Sequence, residues 1–167
     1  LRLIRWPLVA AALATAGYSG YLFAQAKARD FWQSPLLSLH LSVQALAAGA
    51  GIAVLLSSYS SNLGHKLPRF LAATLMVHLA LIAFDEANRA LRCGKMGDAA
   101  KAARIMLYGR YAKCFWTGIS LAVISVGCAL WGELIGNVGV FAGLTSLASL
   151  AFYEHAWNLS GQAPPLS

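Results

Sequence analysis

Long apolar segments alternate with short polar stretches along the whole chain. The apolar segments cover residues 4–24, 35–56, 70–90, 111–130 and 134–152. A helix needs roughly 20 apolar residues to cross a bilayer core of about 30 Å. The pattern therefore predicts an all-α integral membrane bundle with about five transmembrane helices.

The longest polar stretch, residues 89–113, contains a weaker helical pattern of its own. Residues 99–107 are good helix formers, and Lys101 and Arg104 stand among apolar neighbours. A short basic helix with one apolar face is typical of segments that lie in the membrane interface. We therefore expect a short amphipathic interfacial helix between the third and fourth spans.

Composition supports the membrane class, because 59% of the 167 residues are hydrophobic and only 11% are charged. Soluble domains carry roughly 25% charged residues. The net charge of +7 does not indicate nucleic-acid binding, since the basic residues lie between apolar segments. Cys93, Cys114 and Cys128 show no paired spacing, and we expect no metal or flavin on this chain.

The basic residues also predict an orientation. Lys27 and Arg29 lie in the first loop and seven more lie between residues 89 and 113, which makes nine of the 13 Lys and Arg. Loops rich in Lys and Arg are usually cytoplasmic. Five spans would place these loops and the C-terminus on that same side.

Polar side chains inside apolar segments are costly, so each needs a partner or a role. His40 and Gln44 lie one turn apart and are candidates for an interhelical polar pair. A haem held by His40 and His78, which lie on different helices, is an alternative interpretation that stays open. Tyr18 is either an interfacial aromatic or part of a site.

A second polar group lies in the third apolar segment. His78 and Asp85 are seven residues apart and share a helix face, and Glu86 and Arg89 follow. Asp85 and Glu86 either end the helix in water, paired with Arg89, or form a proton path with His78. We keep both interpretations.

Several motifs resemble the NrfD/PsrC family, the membrane subunits of polysulfide reductase and related complexes. Residues 16–22 are similar to the family's Tyr-Thr-Gly step, with Ser19 in place of the common Thr. Residues 31–37 are similar to its Trp-Asn-Ser/Thr-Pro-Leu-Leu turn, with Gln in place of Asn. Residues 45–51 and the ending 161–167 resemble further family segments.

The resemblance implies a function. Members of that family have eight or more helices, exchange electrons with membrane quinone (menaquinone or ubiquinone), and pair with a ferredoxin-like iron–sulfur subunit and often a molybdopterin catalytic subunit. By this resemblance, residues 1–34 hold the last helix of a truncated quinone-site bundle and its loop, and residues 35–167 form a four-helix bundle with a tail. Tyr18 and Ser19 would then be close to the quinone.

The leading hypothesis is a membrane anchor and quinone-coupling subunit of a redox complex in a bacterial or archaeal cytoplasmic membrane. Such a subunit would be non-catalytic itself or would react with quinone. A proton- or ion-translocating bundle and a purely structural membrane anchor are the alternatives.

Overall fold

A computed structural model describes residues 2–57, 66–92, 97–131 and 138–164. These ranges form six α-helices and no β-strand. A short 3-10 turn, Asp30–Trp32, lies between the first two helices. The helices are α1 (Arg2–Ala24), α2 (Leu37–Ser57), α3 (Lys66–Arg92), α4 (Asp98–Leu107), α5 (Ala112–Trp131) and α6 (Val138–Gln162).

The all-α prediction is confirmed for the described residues. Four helices, α1, α2, α3 and α5, are long and apolar enough to cross a membrane. The chain thus has the composition of a multi-pass membrane protein. The predicted fifth span corresponds to α6, which does not reach the same apolar composition because Glu154, His155 and Asn158 interrupt its second half.

Two predicted helix boundaries are wrong. The last helix was expected to end at residue 152, but α6 continues to Gln162, because Ala156, Trp157 and Gly161 bury a face of the added turns. The third helix was expected to start after Pro68, but α3 starts at Lys66 and holds that proline in its first turn. Proline is tolerated there because the first N–H groups of a helix have no partner within it.

Helices α5 and α6 form an antiparallel pair joined by buried hydrogen bonds. The Ser149 hydroxyl donates to the Gly118 carbonyl at 2.8 Å, and the Ser125 hydroxyl donates to the Ala142 carbonyl at 2.7 Å. The pairs are seven residues apart on each helix, so the register is constant over two turns. Such hydrogen bonds and close backbone contacts drive helix association in lipid.

Small residues set how closely the helices approach. An added Cβ at Gly118 would lie 2.9 Å from the Tyr153 backbone nitrogen of α6. An added Cβ at Gly143 would lie 2.8 Å from the Gly51 carbonyl oxygen of α2. Helix α6 therefore lies between α5 and α2 at distances that only glycine permits.

Helix α1 packs chiefly against α2 and is otherwise exposed. Gly17 and Gly20 face Ser42 and Ser38 of α2, which fixes an antiparallel contact between the two helices. The opposite faces of α1 carry exposed large apolar side chains along most of its length. This arrangement agrees with the sequence-based division at residue 34 but does not test it.

One end of the bundle is built differently from the other. Helices α1, α3 and α6 finish at this end, α2 and α5 begin there, and α4 packs across it against α6 and the Asp30–Trp32 turn. Arg29 donates from Nη1 to the Gly161 carbonyl oxygen at 2.8 Å, and Trp32 covers Gly161. We call this the α4 end. The predicted amphipathic helix is confirmed as a helix, and its place in a membrane interface stays a prediction.

Gly118→Ala should lower the stability of the bundle, whereas Gly127→Ala on the same helix should not. The first change forces a methyl group against the α6 backbone, and overpacking typically costs about 1–3 kcal/mol. An added Cβ at Gly127 meets no atom within 4 Å, so alanine should be neutral or stabilise by up to about 1 kcal/mol through helix propensity. Unfolding in mixed micelles measures the stability of both variants. Equal unfolding midpoints for Gly118→Ala and Gly127→Ala would contradict the close packing of α5 on α6 at Gly118.

Candidate functional site

Three aromatic side chains from three helices meet in the half of the bundle nearest the α4 end. The ring centroids of His40 (α2) and His78 (α3) are 4.8 Å apart in a T-shaped contact. Tyr153 of α6 stacks on His40 at 5.6 Å and meets His78 edge-on at 5.1 Å. All three are buried. The direct contact of the two imidazoles leaves no space for a porphyrin between them, so this geometry does not support the haem alternative.

The cluster contains polar atoms without protein partners. Among the described residues, His40 Nε2, His78 Nδ1 and Gln44 Oε1 are buried and accept or donate no hydrogen bond. A buried polar group without a partner costs about 1–3 kcal/mol. His40 and Gln44 are both buried. The interhelical hydrogen bonds predicted for this pair are not formed by His40 Nε2 or Gln44 Oε1. Both side chains line a cavity, where water is the available hydrogen-bond partner.

An inner cavity of about 210 Å³ lies against the cluster. Phe23 of α1 forms one wall, and α2, α3 and α6 form the others. The polar part of the lining comprises Ser34, His40, Gln44, Asp85, Arg89, Tyr153, Glu154 and Asn158. Since a water molecule occupies about 30 Å³ of liquid, the cavity has room for several.

The acidic residues of α3 have separate partners. The Ser34 hydroxyl donates to the Asp85 carboxylate at 3.2 Å and also accepts from the Leu36 backbone N–H at 3.3 Å. Glu86 forms an ion pair with Arg89 one turn further along. The Arg89 guanidinium carbon also lies 4.3 Å from the centre of the Phe31 ring. Asp85 is therefore turned toward protein and cavity, and Arg89 is fixed from two sides.

A wider vestibule of about 430 Å³ lies on the outer side of Asp85. Its walls come from the loop before α2, the last turns of α3 and the first turn of α4. Ser34, Asp85 and Arg89 line both the vestibule and the inner cavity. These three side chains thus form the boundary between the two spaces.

Tyr18 and Ser19 lie away from this cluster. The Tyr18 side chain is 58% exposed and points off α1, as does Tyr21. Ser19 is partly buried, and its hydroxyl donates to the Thr15 carbonyl of its own helix. The structure does not join these two residues to His40, His78 or Asp85. Because the flanking Gly17 and Gly20 contact Ser42 and Ser38, Tyr18 lies at nearly the same depth as His40.

Two residues of the site were not predicted from the sequence. Ser34 was placed only in the 31–37 motif, and Tyr153 fell just beyond the predicted end of the last helix. A longer helix would have put Tyr153 on one face with Ser146 and Ser149, seven and four residues before it, and with Trp157, four residues after it. That spacing of small and aromatic residues was the available signal.

The candidate residues do not form a metal site. Within the described part of the chain, no group of three or more His, Cys, Asp and Glu side chains is placed to hold an ion. Comparison of the sequence and fold with family models, curated proteins and solved structures finds no match. The function therefore has to be argued from the residues themselves.

Ser34→Ala should destabilise the protein more than Ser42→Ala. The Ser34 hydroxyl bonds a carboxylate on another helix, and hydrogen bonds to charged groups contribute about 1.5–3 kcal/mol. The Ser42 hydroxyl donates only to the Ser38 carbonyl of its own helix at 2.8 Å, so its loss should have a small effect. Unfolding in mixed micelles compares the stability of the two variants. An equal loss of stability in both would show that the Ser34–Asp85 hydrogen bond does not stabilise the protein.

Proposed function

We propose that the chain is a membrane anchor and quinone-coupling subunit of a multi-subunit redox complex, which couples quinone oxidation or reduction to electron transfer with an iron–sulfur partner. The observation that carries this proposal is Tyr18. It lies in the 16–22 segment that resembles the quinone-proximal step of the NrfD/PsrC family, and its side chain points away from the rest of the chain. It is therefore free to contact a ligand or a neighbouring helix.

The exposed faces of α1 support the same proposal. Helix α1 carries a row of exposed apolar side chains and packs chiefly on α2, and Phe23 near its end also contacts Trp157 of α6. Further helices packed there would bury these faces and enclose Tyr18, which agrees with the family's larger bundle. Gly17 and Gly20 pack against α2, and the Tyr18 ring between them in sequence points away from that contact. A phenol donates to a quinone carbonyl, and its ring packs on the quinone face.

Within this proposal the chain contributes no metal or flavin. Electrons would pass between membrane quinone or quinol and a ferredoxin-like iron–sulfur subunit, which in turn exchanges electrons with a molybdopterin catalytic subunit. The subunit would lie in a bacterial or archaeal cytoplasmic membrane. An ion-translocating bundle or a purely structural anchor would not need the Tyr18 hydroxyl. Removing that hydroxyl therefore distinguishes the quinone-coupling proposal from these two alternatives.

Tyr18→Phe in the complete complex should slow quinol-linked turnover about tenfold, which corresponds to about 1.4 kcal/mol. The change keeps the ring and removes only the hydroxyl. Turnover with an artificial donor that bypasses quinone, and assembly of the complex, should stay unchanged. Steady-state assays with both donors measure this.

Tyr21→Phe is the matched control, since Tyr21 is also exposed on α1 but lies outside the Tyr18–Ser19–Gly20 triplet that matches the family's Tyr-Thr-Gly. It should leave quinol-linked turnover unchanged. Full quinol-linked activity of Tyr18→Phe would show that the hydroxyl takes no part, and Tyr18 would then be an interfacial aromatic.

The proposal includes α6 as the fifth span. Its 25 residues correspond to about 37 Å of helix. The paired hydrogen bonds to α5 make it run antiparallel to a helix that is apolar enough to cross. The polar side chains of its second half lie at the α4 end, near the vestibule.

Cysteine labelling in sealed vesicles tests this topology. Cysteines at Lys101 and Ser167 should react from one side of the membrane. Cysteines at Lys66 and Trp131, at the opposite end of the bundle, should react from the other. Reaction of positions 101 and 167 from opposite sides would contradict the count of five.

A further inference from the structure

The buried polar atoms of this bundle are distributed unevenly along its axis. The described side-chain atoms that lack a hydrogen-bond partner belong to Trp32, His40, Gln44, His78 and Ser160, all in the half nearest the α4 end. In the other half, the buried hydroxyls are paired: Thr74 and Ser146 donate to carbonyls of their own helices, and Ser125 donates across to α6. The polar atoms in the half nearest the α4 end therefore need hydrogen-bond partners from outside the protein, and the buried hydroxyls in the other half do not.

The two cavities offer those partners a route from the aqueous phase. The vestibule opens beside the first turn of α4 and shares Ser34, Asp85 and Arg89 with the inner cavity. The inner cavity in turn reaches His40 and Gln44, and His40 contacts His78. Water that enters the vestibule would meet hydrogen-bonding side chains at every step to His40, whose ring contacts the His78 ring.

Beyond His78 the polar lining ends. The next turns of α3 present Leu75, Ala72 and Leu71, which are fully buried against Ala47, Ala50 and Val54 of α2. Ala129, Ala142 and Leu150 of α5 and α6 complete this apolar plug. About 18 Å of α3 separates His78 from Lys66, at 1.5 Å per residue. The buried hydroxyls of Thr74, Ser125 and Ser146 in this half all donate to backbone carbonyls, so the close-packed plug leaves no unpaired hydroxyl to hold a water file.

We propose that the vestibule and inner cavity form a one-sided water inlet, which brings solvent protons from the α4 end to His40 and His78 and ends there. The inlet does not rest on quinone binding. It delivers protons into the middle of the membrane without conducting them across, because the apolar plug closes the other half.

The charged and titratable groups along this route come from several elements. Helix α3 supplies Asp85 and the Glu86–Arg89 pair, α2 supplies His40, and α6 supplies Tyr153 and Glu154. Asp85 lies at the boundary of the two spaces and accepts from Ser34. A solvent proton passes from one cavity water to the next as far as an imidazole nitrogen, and each water that gives up a proton regains one from the vestibule side. No redox step is involved.

Cysteine accessibility tests the inlet in proteoliposomes of the full-length protein, with Cys93, Cys114 and Cys128 replaced by alanine. Ser34→Cys reports the boundary, Gln44→Cys the inner cavity, and Leu75→Cys the plug. Leu39→Cys is the control, because Leu39 neighbours His40 but is exposed on the outside of the bundle. A charged, membrane-impermeant thiosulfonate is the probe.

The inlet predicts that the cysteines at 34 and 44 react only from the α4 side, with position 34 faster. Those at 39 and 75 should stay unmodified from either side. An unreactive position 44 would mean that the inner cavity is dry and would overturn the proposal. Reaction of position 75, or of position 44 from both sides, would show an open path and would overturn the closed end.

A second measurement needs no variant at the site. Nitrogen-15 NMR of the histidine-labelled protein in bilayers follows exchange of ring N–H protons in D₂O. His40 and His78 should exchange within minutes despite their burial. Protection over hours would overturn the inlet independently of the cysteine variants.

Discussion

The need to pair every buried polar atom governs the organisation of this bundle. Lipid offers no hydrogen bonds, so each unpaired group in the apolar region costs several kcal/mol. The chain meets this constraint in two ways. Serine and threonine hydroxyls donate to backbone carbonyls, and two of these bonds join α5 to α6. Toward the α4 end, histidine and glutamine atoms are left for water in a cavity.

The same constraint separates two functional regions. The Tyr18 face belongs to the outside of α1 and is open to other helices or to a quinone. The His40–His78–Tyr153 cluster lies inside the bundle, where α2, α3 and α6 meet. Both lie at similar depth because Gly17 and Gly20 bring α1 against the first turns of α2. Quinone chemistry requires protons as well as electrons, so a hydrated polar cluster at that depth fits the proposed function without being required by it.

Sequence patterns predicted most of the fold and part of the site. Apolar segment length located α1, α2, α3 and α5 within a few residues, because lipid-facing helices need near-continuous apolar stretches. The end of α6 was missed for the same reason: Glu154 and His155 lower its hydropathy, while Tyr153 and Trp157 pack inward. Helical spacing correctly put His78 and Asp85 on one face, but it carried no information on which helices would meet there. The contact between His40, His78 and Tyr153, and the approach of Ser34 to Asp85, depend on tertiary packing.

The proposed function requires that the exposed face of α1 around Tyr18 border the quinone site of a redox complex. Photolabelling of the intact complex with an azido-quinone, followed by peptide mapping, tests it directly. The account predicts that the label attaches within Arg2–Ala24 near Tyr18 and that excess native quinone prevents it. Labelling confined to other helices or other subunits, with α1 unmodified, would contradict the claim.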